Sequence, residues 1–390
     1  MITKSRIQSI DLLRGLVMII MALDHCRDFF HIDWAHGNDP LDFATTSPLL
    51  FLTRWITHFC APVFVFLSGS SVFFVSQRKS KKKLSFFLFT RGVWLIFLEL
   101  TVIYFSWQSN FNYYLLVLQV IWTIGISMVL LSVFIYLPRK LLFLIGLLIV
   151  LGHNTLDGFN EIDNTWPGAV WSILHVRHFF HLGGNHSIFV LYPMLPWFGL
   201  MILGYFFGGL YAKDFDAGRR KKILLQLGTV LILLFIVLRS VNIYGDAHHW
   251  QQQSTSLYTV LSFVDTTKYP PSLLYLLMTI GPAMIFLAYA ENSRGKLANA
   301  ITIYGRVPLF YYIVHFYLLH IIAWVLFFAT GHSASELDFA HRFGGFPTTF
   351  GFHLWQVYII WAFVVLALYL PCRWYNNYKS SHKQWWLSYI

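Results

Sequence analysis

The sequence predicts an all-α, polytopic membrane protein with about ten transmembrane helices and with both termini in the cytoplasm. Three observations indicate this class. Hydrophobic residues make up 57% of the 390 residues and charged residues only 12%, whereas a soluble globular chain carries roughly 25% charged residues. Apolar segments long enough to cross roughly 30 Å of hydrocarbon recur along the chain. Basic clusters fall in every second gap between these segments, as the positive-inside rule requires.

Ten apolar segments are the candidate transmembrane helices. They lie near residues 8–30, 49–76, 84–106, 114–136, 139–154, 188–212, 222–243, 270–291, 302–330 and 352–372. The first segment is preceded by Lys4 and Arg6 and lacks a small-residue cleavage site, so we expect a retained helix and no signal peptide. No internal repeat or low-complexity linker interrupts the chain, which predicts a single transmembrane domain over residues 1–390.

The basic clusters orient the chain in the membrane. Those at 78–83, 139–140, 213–222, 294–296 and 373–383 share one side with the N-terminus, and the opposite gaps carry only Arg177, Lys268 and Arg342. The net charge of +11 is therefore a topology signal and does not indicate nucleic acid. We expect a multi-pass protein of the cytoplasmic (inner) membrane, with the lipid bilayer as its partner. The sequence leaves open whether two copies of the chain form a homodimer.

Histidine follows the same distribution. Of the 17 histidines, only His382 falls on the predicted cytoplasmic side. Four lie within predicted helices, namely His25, His58, His315 and His320. The other twelve lie in exterior loops or at exterior helix ends: His31, His36, His153, His175, His178, His181, His186, His248, His249, His332, His341 and His353. The proton-exchanging end of the protein is thus predicted to be the exterior one.

The first predicted helix carries charges in its outer third. Asp24, His25, Arg27 and Asp28 lie there, although each charged group costs roughly 2.5–3.5 kcal/mol at the centre of a transmembrane helix. Asp24 and Asp28, four residues apart, share one helix face. In the functional interpretation, these charged side chains face a polar cavity inside the protein. In the alternative, they form salt bridges at a helix end that lies at the membrane interface.

Two further predicted helices bring polar groups to a similar depth. Arg54 and His58 lie four residues apart in the second segment, and His315 lies near the middle of the ninth. Each histidine can instead be a core residue whose ring hydrogen-bonds a neighbouring helix.

No metal site is expected from the sequence. The three cysteines, Cys26, Cys60 and Cys372, form no CxxC pair, so the sequence offers no zinc ribbon. In the HVRHFFH run, His175, His178 and His181 fall at i, i+3 and i+6, but no clear carboxylate accompanies them. Interface-seeking side chains on an amphipathic segment explain this run equally well.

Several stretches resemble a known family of membrane acetyltransferases. These are SIDLLRG with MALDHCRDFF, FLTRWITHFCAPVFVFLSGSS, YPMLPWFGLMILGYFFGG, KYPPSLLYLLMTIGP and GRVPLFYYIVH. Together they resemble bacterial proteins related to the heparan-alpha-glucosaminide N-acetyltransferase catalytic domain, which are akin to the acyltransferase-3 proteins. The resemblance implies acetyl-CoA as a cytosolic donor and an extracytoplasmic amino sugar or glycan as the acceptor.

The resemblance also indicates two alternative catalytic histidines. In the acyltransferase-3 relatives an active histidine follows the Arg-Gly pair by ten residues, which is His25 in this sequence. The lysosomal relative has its active histidine eleven residues later, which an ungapped comparison places at His36. The deeper position beside two carboxylates favours His25.

The resulting hypothesis is acetyl transfer from acetyl-CoA by a histidine that acts as a base or carries the acetyl group. Asp24 or Asp28 orients the imidazole, and Arg27 or Arg54 stabilises the developing oxyanion. On the cytoplasmic side, the phosphates of CoA would meet basic residues near the inner helix ends, namely Arg14, Arg91 and Arg306. The alternative function is a transporter or proton-coupled permease, because buried Asp, His and Arg residues also form proton relays.

Overall fold

Helices form nearly all of the regular structure in the computed structural model, which describes residues 7–159, 162–163, 165–339 and 342–389. Within these ranges the side chains of Trp34, Ala35, Phe343 and Ser388 are not described. Lys4, Arg6 and His341, which the topology prediction includes, lie outside the described residues.

The α-helices begin just after the undescribed N-terminal residues and continue almost to the C-terminus. In chain order they are α1 (Gln8–Phe30), α2 (Ile32–Ala35), α3 (Pro48–Thr57), α4 (Cys60–Ser76), α5 (Lys81–Leu98), α6 (Tyr104–Gln108), α7 (Val120–Phe134), α8 (Arg139–Gly152), α9 (Trp166–Leu174), α10 (Met194–Phe207), α11 (Ala217–Val241), α12 (Ser256–Val264), α13 (Leu273–Ala290), α14 (Lys296–Arg306), α15 (Pro308–Ala329) and α16 (Leu354–Ser381).

Short elements connect or extend these helices. A π-helical turn, Glu99–Ile103, joins α5 to α6. Single 3₁₀ turns cover His153–Leu156, Gly208–Tyr211, Ala334–Glu336, Phe343–Gly345 and Trp385–Ser388. Three short strands are present in the described ranges: β1 (Leu115–Leu118), β2 (His178–Gly183) and β3 (His186–Val190).

The all-α, polytopic prediction is confirmed. Each of the ten predicted segments contains a helix. In the part of the chain that the structure describes, eight helical stretches are long and apolar enough to cross a membrane: Pro48–Ser76, Lys81–Gln108, Arg139–Leu156, Met194–Tyr211, Ala217–Val241, Leu273–Ala290, Pro308–Ala329 and Leu354–Ser381. The other two are α1, which has 23 residues but is charged, and α7, which is apolar but has 15 residues.

The chain divides into two compact units. The first comprises Met1–Cys60, Val102–Asn112 and Ala290–Ile390, and the second comprises Ala61–Thr101 and Tyr113–Tyr289. Both units contain segments from distant parts of the sequence, so their division does not follow a linker. The single domain over residues 1–390 remains a prediction.

In the first unit, α1 and α14 approach each other closely at two glycines. A Cβ atom on Gly15 would lie 2.0 Å from the carbonyl oxygen of Ile301, and one on Gly305 would lie 1.9 Å from that of Asp11. Small residues permit such backbone contact between membrane helices. This packing brings the end of α14, with Arg306, against the first turns of α1.

In the second unit, the three strands form a small sheet in the order β1-β3-β2. β1 pairs in parallel with β3, and β2 pairs with β3 in antiparallel register. The sequence analysis assigned residues 114–118 to a helix, and it placed 178–187 in an exterior loop whose first histidines were considered at helical spacing. The structure corrects both points. Leu115–Leu118 form β1, which pairs with β3, and β2 and β3 form a hairpin whose turn contains Gly183 and Gly184 at positive φ. His178 and His181 therefore lie on a strand and do not share a helix face with His175.

Arg239, near the end of α11, ties the following loop together in the second unit. Its side chain is 1% exposed and donates to the carbonyl oxygens of Phe263 at 3.0 Å, Ser262 at 3.1 Å and His248 at 2.8 Å, and also to that of Asp265. Two of these carbonyls lie in the last turn of α12 and a third, that of Asp265, directly follows it, where a cation also compensates the helix dipole. This guanidinium holds α12 and the chain around His248 in place.

The predicted orientation can be tested by labelling introduced cysteines. The three native cysteines are free and buried, so they should contribute little background. Ser80→Cys and Gly218→Cys should react with a membrane-impermeant thiol reagent only after cell lysis, and Ser254→Cys should react in intact spheroplasts, because the basic clusters remain in the cytoplasm. All three positions are exposed. Labelling of Ser80→Cys in intact spheroplasts would overturn the orientation.

Candidate active site

Two histidines from distant parts of the sequence meet in the first unit. Nδ1 of His25, on α1, lies 2.7 Å from Nε2 of His315, on α15. Their rings stack with centroids 5.0 Å apart. His315 is fully buried and His25 is partly buried. The structure thus joins two of the sequence-predicted site residues directly.

The hydrogen bonds around His315 define the tautomers of both rings. Nδ1 of His315 lies 3.1 Å from the carbonyl oxygen of Tyr311, and because a carbonyl only accepts, this nitrogen carries the proton. Nε2 of a neutral His315 then accepts, and Nδ1 of His25 donates to it. With both rings neutral, the basic lone pair of His25 is on Nε2. A second imidazole thus orients His25, as a carbonyl or carboxylate does in other histidine sites.

Aromatic side chains surround the His25 ring. Phe316 lies 4.4 Å away between centroids, Trp107 lies 5.5 Å away in an edge contact, and Tyr312 lies 6.2 Å away. These residues were not among the sequence-predicted site residues. Tyr312, His315 and Phe316 recur at i, i+3 and i+4, so their common face on α15 is readable from the sequence. Trp107 follows the π-helical turn, and no spacing rule predicts its position.

Beside His25, Asp24 is the centre of an ionic cluster. Nη1 of Arg54 lies 2.8 Å from each of its carboxylate oxygens, and Thr57 donates its hydroxyl to Oδ1 at 2.8 Å. Arg27 forms an ion pair with Asp24 at 2.8 Å and a hydrogen bond to Asp28 at 2.5 Å. Two carboxylates therefore balance two guanidiniums, which is how buried charges are stabilised. Thr57 was missed by the sequence analysis, although it lies three residues after Arg54.

The other two predicted histidines have different surroundings. His58 is fully buried at the C-terminal end of α3, where its backbone N–H donates to the carbonyl of Trp55 at 3.0 Å. His36 is exposed in the turn after α2, with Nδ1 2.9 Å from the carbonyl oxygen of Ile32. Nearer to α1, burial lowers the pKa of His31, which favours its neutral form.

The predicted CoA-binding residues separate into two groups. Arg14 donates to Oδ1 of Asp11 at 3.3 Å and to the carbonyl oxygen of Gly305 at 3.2 Å, and Nε of Arg306 lies 3.5 Å from Oδ2 of Asp11. Arg14 and Arg306 therefore flank one carboxylate in the first unit. Arg91, on α5, belongs to the second unit. Asp11 was not singled out from the sequence.

Comparison with known families identifies the chain. The family model for the heparan-alpha-glucosaminide N-acetyltransferase catalytic domain matches residues 6–249, which is more than half of the chain. The chain belongs to this family. Membership supports a transmembrane function of the N-acetyltransferase type in a multi-pass membrane protein. Among curated proteins, none matches the chain.

The matched range of this N-acetyltransferase family divides the candidate site. It includes α1 with His25 and Asp24, together with Arg54 on α3. His315 and Arg306 lie beyond residue 249, so the structure, and not the family match, associates them with α1.

Proposed function

We propose that this protein transfers an acetyl group from cytosolic acetyl-CoA to the amine or hydroxyl group of an extracytoplasmic amino sugar or glycan. The observation that carries the proposal is the hydrogen bond between His25 and His315, because it presents Nε2 of a membrane-embedded imidazole as a base. Family membership supports the reaction class. Buried relay residues alone would suit a transporter equally well.

His25 has two chemically balanced roles in this reaction. As a general base, Nε2 takes the proton of the acceptor amine or hydroxyl while that group attacks the thioester carbonyl, and the C–S bond breaks to release the CoA thiolate. As a nucleophile, Nε2 first attacks the thioester carbonyl, so that a bond from Nε2 to the acetyl group forms while the C–S bond breaks and the CoA thiolate leaves. The acceptor then attacks this acetyl group, the bond to Nε2 breaks, and the freed Nε2 takes the proton of the acceptor. In both roles, Nδ1 of His25 donates to His315 at 2.7 Å, which keeps Nε2 in its basic form.

The donor phosphates are proposed to bind at the opposite end of α1. Arg14 and Arg306 flank Asp11 there, and the side chain of Arg306 is 34% exposed. A guanidinium binds phosphate with two charge-assisted hydrogen bonds, so Arg306 can exchange its long contact to Asp11 for a phosphate. The role of Arg91 in CoA binding rests on the sequence prediction.

An acetyl-transfer assay tests this function. Purified protein in detergent, given radiolabelled acetyl-CoA and glucosamine, should release CoA and form labelled N-acetylated sugar. Labelled protein without acceptor would indicate the acyl-carrier role. Substrate uptake into proteoliposomes without any CoA release would favour the transporter and contradict the proposal.

Donor binding can be tested in the same preparation. Arg306→Ala should weaken acetyl-CoA binding by about 1.5–3 kcal/mol, the usual contribution of a hydrogen bond to a charged group. Arg294→Ala is the matched control, since it removes an exposed arginine from the loop before α14. Equal affinities of the two variants, measured by calorimetry, would place the phosphates elsewhere.

A further inference from the structure

The second unit contains a cluster of two histidines and a carboxylate that the proposed reaction does not use. His153, Asp157 and His175 each offer one ligand atom, and these atoms all lie within 4.8 Å of one another. His153 and His175 are 2% and 1% exposed. The sequence analysis found no carboxylate to accompany His175, and the structure corrects this, because Oδ1 of Asp157 lies 3.1 Å from its Nε2.

Local structure explains why the three residues converge. His153 begins the 3₁₀ turn at the end of α8 and Asp157 directly follows that turn, so only one short turn of chain separates them. His175 directly follows α9, where its backbone N–H donates to the carbonyl of Trp171 at 2.8 Å. The rings of His153 and His175 meet edge to face, with centroids 5.6 Å apart.

Several polar atoms of this cluster lack a protein partner. In the described ranges, neither ring nitrogen of His153 nor Nδ1 of His175 has a hydrogen-bond partner. Buried polar side-chain atoms are usually hydrogen-bonded to protein or water, or bind an ion. Three such nitrogens beside one carboxylate therefore indicate a bound species.

The carboxylate is held in position by a second layer of hydrogen bonds. Asn154 donates its amide to Oδ2 of Asp157 at 2.8 Å, and the backbone N–H of Leu273 donates to Oδ1 of Asn154 at 2.9 Å. Outer hydrogen bonds of this kind orient the ligands of metal sites.

A cavity of about 200 Å³ adjoins the cluster. Asp157 and His175 form part of its wall, together with Arg177, His248 and Thr267. Nδ1 of His248 lies 3.0 Å from the hydroxyl of Thr267. The cluster thus has one side against protein and one side towards a cavity that can hold water.

We propose that His153, Asp157 and His175 bind a divalent transition-metal ion, with zinc as the preferred ion. Two imidazoles and one carboxylate are a typical zinc donor set, and three protein ligands leave one coordination position for water or another oxygen ligand. The cavity supplies that position. The ion fastens the end of α8 to the segment that follows α9.

Metal analysis of the purified protein tests the proposal. The protein is prepared with a tag that contains no histidine, equilibrated with zinc sulfate and freed of excess metal, and its zinc is measured by mass spectrometry. We expect one zinc ion per chain in the wild type and almost none in Asp157→Asn or His175→Gln. His181→Ala is the matched control, because it removes an exposed histidine from nearby β2 and should keep the ion.

A spectroscopic measurement on the wild type keeps the test independent of variant folding. Cobalt substituted for zinc should give the strong visible absorption of a four-coordinate site, and added zinc should remove it. Wild-type protein without stoichiometric zinc would overturn the proposal and indicate buried water instead. Equal zinc loss in Asp157→Asn and His181→Ala would also overturn it.

Discussion

His25→Ala is expected to reduce acetyl transfer at least about a hundredfold, the usual effect of losing a general base, while acetyl-CoA binding remains. The reason is geometric. Alanine removes the Nε2 lone pair that the bond to His315 orients, but it leaves Arg14 and Arg306 in place at the other end of α1. Transfer is measured with radiolabelled acetyl-CoA, and binding is measured by calorimetry on the same preparation.

His36→Ala is the companion variant, because the family resemblance offers His36 as the alternative catalytic residue. Its side chain is exposed and contacts the carbonyl of Ile32, so we expect a much smaller loss of transfer. His315→Gln should fall between the two, since glutamine can accept the hydrogen bond from His25 but fixes its tautomer less firmly. Near-normal transfer by His25→Ala together with an inactive His36→Ala would assign the reaction to the exposed turn.

Asp24→Ala is expected to destabilise the protein by about 3–5 kcal/mol, because it leaves buried cations without their carboxylate. Arg54 places Nη1 2.8 Å from both oxygens of Asp24, and Arg27 pairs with the same group at 2.8 Å. The measurement is the thermal unfolding midpoint in detergent, with Asp33→Ala as the control at a more exposed carboxylate that is 39% exposed.

A double substitution separates charge imbalance from lost packing. Arg54→Met combined with Asp24→Ala removes one cation together with the anion, so it should unfold at a higher temperature than Asp24→Ala alone. If the decreases in unfolding temperature caused by Asp24→Ala and by Arg54→Met alone simply add in the double variant, the ion pair does not determine the stability of this region.

The membrane helices were predictable because hydrophobic length is a local property. For α11, the predicted segment 222–243 and the observed Ala217–Val241 differ mainly at the N-terminal end. The first turns of the helix there are basic, so the apolar run does not show where the helix begins. The strands β1 and β3 were missed for a related reason. An apolar run of four or five residues is compatible with either a buried strand or part of a helix, and the choice depends on its pairing partner.

Some residues of the candidate site could be singled out from the sequence, but their pairing could not. Charge and depth in the membrane singled out His25 and His315, yet 290 positions separate them, and no spacing rule spans that distance. The same limit applies to Arg54, which pairs with Asp24 although 30 positions separate the two residues. For His175, the helical interpretation of its segment directed attention to His178 and His181, whereas its real neighbours, His153 and Asp157, come from the end of α8.

The regularity of α1 sets the alignment of the two residues to which we assign functions at its opposite ends. Arg14 and His25 are eleven residues apart on one uninterrupted helix, which corresponds to about three full turns and roughly 16 Å along the axis. Both residues therefore lie on nearly the same face of α1. An elongated molecule parallel to α1 could place its charged end at Arg14 and its reactive end at His25. One residue inserted between them would turn His25 by about 100° away from Arg14.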